Sequence, residues 1–213
     1  MRKVFTNELD ELNQEMIDMG SLCEEAIAHL ESCLIDESKE EAKLVKPVRE
    51  KILAKEKRIE SMCMRLLLLQ QPMASDLRCV SSALKMVTDM YRIGEVTGDA
   101  AYIITNMNRF HQNLDIGTLA KRARAMVQHS IASFVHMDME VAKKVVEADD
   151  EVDNLFDQVK QELIEKITSN PSEVEEYVDL LMIAKYFEKI GDHAVSIAEW
   201  VEYSITGVHQ IEE

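Results

Sequence analysis

The sequence predicts an all-α protein made of two tandem antiparallel three-helix bundles related by an internal repeat. Three observations carry that expectation. The 213 residues include only three prolines and six glycines, so few breakers interrupt the chain. Hydrophobic residues make up 46% but aromatics only 5%, and the polar positions are mostly Glu, Asp, Lys, Arg and Gln, which suits helices better than sheets. A four-residue word also occurs twice, as Arg92-Ile93-Gly94-Glu95 and as Lys189-Ile190-Gly191-Asp192. A glycine inside a helix costs on the order of 1 kcal/mol relative to alanine. Its return in the same setting points to a close helix approach or a constrained site beside it.

The repeat divides the chain into units 1–110 and 111–213. In the first unit Leu9, Leu12, Met16, Met19, Cys23, Ala26, Leu30 and Cys33 recur in steps of three and four, the seam of a helix about 30 residues long. A turn is expected at Asp36 to Lys39, with Ser38 placed to cap the second helix. That helix runs to about Gln71, and Pro47 should kink it or mark its restart. Gln71-Pro72 closes it. The third runs from Met73 or Ser75 to Met107, its inward seam passing through Leu77, Val80, Leu84, Val87, Tyr91, Gly94, Gly98 and Ala101. Asn106 to Gly117 reads as the loop between units.

The second unit repeats this plan. A fourth helix carries Leu119, Ala123, Val127, Ile131 and Phe134 and breaks near His136 to Asp138. The fifth runs from Met139 to Thr168 and ends at Ser169-Asn170-Pro171. The sixth, from about Ser172 to Ile205, carries Tyr177, Leu181, Ala184, Gly191, Val195 and Ala198 on its seam.

The net charge of -16 argues against nucleic acid, whose phosphates a binder must neutralise with Lys and Arg. It argues equally against docking on anionic lipid through a broad basic patch. No apolar run approaches the roughly 20 residues of a membrane span, and the N-terminal residues lack a signal-peptide layout. A cytoplasmic protein is expected, with any membrane association made through protein partners. Cys23, Cys33, Cys63 and Cys79 show no CxxC spacing and fall among apolar positions, as buried free thiols do.

Chemistry is most legible around Glu188 and Asp192. Four residues apart on a helix, their side chains share a face about 5–6 Å apart, and like charges there repel. A hard cation held by oxygen ligands would relieve the repulsion. So would Lys185 or Lys189, on a solvated acidic face with intrahelical ion pairs. Asp149 and Asp153, again four apart, could face them from the fifth helix. In the first unit Glu95 and Asp99 are the matching candidates, opposite Glu56 to Glu60, but Tyr91 stands where Glu188 would be and makes that site weaker. His193 follows Asp192 and so points about 100° away. No ExxH pair, phosphate-cradling glycine loop or nucleophile elbow is present. No basic pocket is legible that would take phosphate directly. Ser75 or Asp76 would cap the third helix, and Arg78 would pair with a nearby acid.

These residues resemble the PhoU family of bacterial phosphate-signalling regulators. The likeness rests on Tyr91 to Glu95, on Glu188 to Asp192, on Gln71-Pro72-Met73-Ala74-Ser75-Asp76-Leu77-Arg78, and on the opening Phe5, Leu9, Leu12 pattern. It covers essentially the whole chain. The resemblance implies two three-helix bundles and metal held by E/DxxxD motifs, here Glu188 and Asp192 in full and Glu95 in its second acid only. The ions expected are divalent or ferric: Fe, Mn, Mg or Zn. It further implies a non-enzymatic adaptor between a phosphate ABC transporter and a sensor histidine kinase, restraining phosphate uptake and the starvation response. Separately, exposed helical seams make a homodimer the expected assembly. A carboxylate-rich metal-dependent enzyme or metal-storage helical protein is the alternative.

Overall fold

A first long helix forms because its apolar residues keep one stripe for nine turns. In the computed structural model, which describes residues 2–69, 74–109 and 114–208, this is α1 (Arg2–Asp36), 35 residues long. Leu12, Met16, Met19, Cys23, Ala26, Leu30 and Cys33 are all fully buried along it. The chain then turns through Glu37, whose φ of 53° is left-handed. The Ser38 N–H donates back to the Cys33 carbonyl at 3.2 Å, which satisfies one of the helix's last acceptors.

Helix α2 (Lys39–Leu69) continues without restart through Pro47. The proline is exposed, so the carbonyl it leaves without an N–H donor faces water. The closing Gln71-Pro72 lies outside the described residues, as does a start at Met73. Helix α3 (Ala74–Asn106) comes next. Its seam is broader than the spacing predicts. Leu77 is 48% exposed and Leu84, Tyr91 and Gly98 are half-buried, whereas Met86, Met90, Ile93, Thr97, Ala100 and Ile104 are buried. The reason is tertiary: α3 packs on both neighbours in its own bundle and also on the last helix of the other.

The second half repeats the turn between its first two helices. Helix α4 (Ile116–His136) ends at Met137, again left-handed with φ 48°. The Asp138 N–H donates to the Ser133 carbonyl at 2.9 Å, and the Asp138 carboxylate accepts from the Glu140 and Val141 amides. It therefore caps α5 (Met139–Ser169). Ser38 does the same more weakly, accepting from the Glu40 amide at 3.4 Å. A 3-10 turn at Pro171–Glu173 leads into α6 (Val174–Thr206), which starts two residues later than the sequence suggests.

Within each bundle the three helices pack on one another, α1–α2–α3 and α4–α5–α6. The bundles meet through α1 on α4 and α3 on α6, leaving α2 and α5 on the outer flanks. One continuous apolar core runs through both halves. Among the described residues there is no strand, and no helix is long and apolar enough to cross a membrane.

Candidate metal centre

The groove between α5 and α6 collects the acids of the second half. Gly191 sets the approach of the two helices: a Cβ there would stand 3.3 Å from Asp149 Oδ1 and 3.4 Å from Val152 Cγ1. Asp149 Oδ1 is buried and has no hydrogen-bond partner, and the same is true of Glu188 Oε2. Burial, then the charges of Asp153, Asp192 and Glu188, push the Asp149 carboxyl up to about 6. The other oxygen of Glu188 accepts from Lys185, one turn back on α6. Asp153 and Asp192 stand exposed at the rim. The four acids named from sequence therefore share one groove. Among the described residues no three His, Cys, Asp or Glu side chains stand grouped to hold an ion as they are.

The first-half groove has the same backbone and a different occupant. The first two helices of each half recur at a spacing of 100 residues (Glu37 and Met137), but the third recurs at 97 (Gly94 and Gly191). Ile52 against Gly94 thus matches Val152 against Gly191. Asp149 and Asp153 are matched by Arg49 and Leu53, not by residues among Glu56 to Glu60. The spacing of the repeated word misled here, because the second half is three residues shorter where its last helix begins. Arg49 donates through Nε (3.0 Å) and Nη2 to Glu95. That guanidinium holds the Glu95 carboxyl below the usual range, and the Tyr91 hydroxyl bonds the same carboxylate. Asp99 is exposed nearby, its charge felt at Arg49.

Arg49 is the residue of this groove that sequence reasoning missed. Together with Lys43, Lys46, Asp99 and Tyr102 it lines a groove of about 540 Å³ between α2 and α3. The available signal was Lys43, Lys46 and Arg49 at steps of three, one helical face of α2. Three basic side chains do converge there, with Asp99 in the same lining, while Arg49 is bound by Glu95 and Lys43 by Glu40.

The remaining candidates fall elsewhere. His193 turns away from Asp192 as expected and meets Asp89 of α3, Nδ1 to Oδ1 3.0 Å, while Ser196 donates to the other Asp89 oxygen at 2.8 Å. That cluster joins the halves. Asp76 lies in the first turn of α3, and the Arg78 Nε is buried with no hydrogen-bond partner. All four cysteines are free, and burial pushes the Cys33 and Cys63 thiols up to about 12.

The PhoU domain family matches this chain twice, over residues 16–104 and 116–201. The chain belongs to the PhoU family. The starts of the two PhoU matches differ by 100 residues and their ends by 97, the same three-residue shortening that the grooves reveal. A PhoU relative from Clostridium acetobutylicum, a phosphate-specific transport system accessory protein PhoU homolog, is 31% identical over 210 residues, 97% of this chain and 96% of its own. One of the same description from Pseudomonas aeruginosa is 28% identical over 207 residues, 95% of this chain and 86% of its own. The crystal structure of PhoU from Pseudomonas aeruginosa matches with a TM-score of 0.90 at 28% identity, over 96% of this chain and 100% of that one. A phosphate transport system regulatory protein PhoU from Streptococcus pneumoniae shares the fold at TM-score 0.90 and 24% identity, over 98% of this chain and 100% of that one. Both PhoU repeats therefore carry their grooves within the matched regions. One holds four acids, and the other an arginine.

Proposed function

We propose that this chain is a phosphate-dependent regulatory adaptor of a phosphate ABC transporter. It links the transporter's cytosolic parts to a sensor histidine kinase, and restrains phosphate uptake and the starvation response when phosphate is plentiful. The observation that carries this is the PhoU match to both bundles, along with relatives whose names tie them to phosphate-specific transport. The adaptor works in the cytoplasm as a homodimer, without catalysis. Deleting the gene should raise phosphatase expression in phosphate-rich medium, and expression of this chain should restore repression. Unchanged expression in the deletion strain would sink the proposal.

The second-half groove is proposed to hold a divalent or ferric ion, Fe, Mn, Mg or Zn. Its acids fit one: two buried carboxylate oxygens lack donors, and an oxygen-only set suits hard cations. A bound cation would neutralise the repulsion among these acids and tie α5 to α6. Asp149 and Glu188 supply oxygens from the floor of the groove. Asp153 and Asp192, exposed at the rim, would complete the oxygen set, and Lys185, which donates to Glu188, would compete with the ion for it. Elemental analysis after chelator-free purification should find metal that is lost in Glu188→Ala/Asp192→Ala. Equal metal in both proteins would remove this assignment.

A further inference from the structure

We propose that Arg49 is the resident cation of the first half, so that this chain holds metal in its second groove alone. The inference rests on the proposed metal site for the second groove, and on geometry alone for the first.

Position by position, the four places that carry Asp149, Asp153, Glu188 and Asp192 in one half carry Arg49, Leu53, Tyr91 and Glu95 in the other. The first set bears four negative charges and the second none in sum. Leu53 has no donor atom, and the Tyr91 oxygen bonds Glu95. The single acid of the set is bound by Arg49 through both Nε and Nη2. A planar guanidinium with fixed donors meets the need that a cation would otherwise meet. Among the described residues, the unpartnered buried carboxylate oxygens, Asp149 Oδ1 and Glu188 Oε2, belong to the second half.

The backbone is fitted to the arginine as well. A Cβ at Gly98 would lie 2.7 Å from Arg49 Cδ and 3.1 Å from its Nε, so the side chain runs through the space a larger residue would fill. The matching position in the second half is Val195, opposite the shorter Asp149. Asp99 gives no substitute ligand set. It is exposed, and its counterpart Ser196 serves the Asp89 cluster between the halves.

The test measures Mn2+ bound per chain, by elemental analysis and equilibrium titration, in the full-length protein. Glu188→Ala/Asp192→Ala should lose essentially all of it. Adding Arg49→Asp, Leu53→Asp and Tyr91→Glu to that variant should return about one site's worth to the first half. If the Glu188/Asp192 variant keeps about half the wild-type Mn2+, and Glu95→Gln then removes it, the proposal is overturned. If the wild type binds no Mn2+, the metal reading of the second groove fails, and Arg49 is judged by thermal unfolding in chelator. There Arg49→Met and Glu95→Gln should each lower the midpoint, and together lower it no more than one alone. Additive losses would overturn the role given to Arg49.

Discussion

Asp149 and Arg49 show how one backbone position takes opposite charges. At position 149 a half-buried carboxyl faces three other acids, and its proton is held up to about 6. In the metal-free protein this destabilises the fold at neutral pH. The folded state binds the proton more tightly than the unfolded state does, so this group's contribution to stability is fully present below about pH 4 and is lost as pH rises through about 6. Asp149→Asn should therefore stabilise the chelated protein at pH 7 by on the order of 1 kcal/mol, after allowance for solvent at a half-buried group. At pH 4 the gain should vanish. Urea denaturation at the two pH values measures it, and an equal gain at both would refute the account. The charge of Asp149 was legible in the sequence. Its burial was not, because burial depends on how closely Gly191 lets α6 approach.

Among elements, the doubled glycine now has a packing role in both halves. A Cβ at Gly94 would stand 3.0 Å from Ile52 Cγ2 and 3.1 Å from its Cδ1. Ile52 is fully buried and β-branched, so it has little freedom to give way. Gly94→Ala gains about 1 kcal/mol of helix propensity but overpacks the α2–α3 contact by about 1–3 kcal/mol. A net loss of up to about 2 kcal/mol is expected from those two effects, read as a lower urea midpoint. A rise in the midpoint would show that the glycine has no packing function. The helices and their turns were read from periodicity to within a few residues. The widths of their buried faces were not: a seam records one neighbour, and α3 has three.

For the whole molecule, the contacts between halves decide the behaviour. The α1–α4 and α3–α6 contacts join one continuous core, and the Asp89, His193 and Ser196 cluster adds polar bonds across it. The two bundles should therefore unfold in a single transition, with coincident curves by circular dichroism and by Trp200 fluorescence. Two resolved transitions would mean that the halves are independent units. The outer helices α2 and α5 bear the two grooves, so each groove belongs to one half while the core belongs to both.

Composition, period and the repeated word determined the helical class, the tandem plan, the free thiols and the four acids of the second groove. These are local properties, set by each residue's spacing from the next. Tertiary structure decided which groove carries which charge. The word at Gly94 and Gly191 fixes one helix in each half, but its partner helix is offset by three further residues. Only the packed helices show that Asp149 corresponds to Arg49 rather than to a residue near Glu56. A helix pair brings together residues far apart in sequence, and a three-residue slip in a turn changes the register without changing the pattern on either helix.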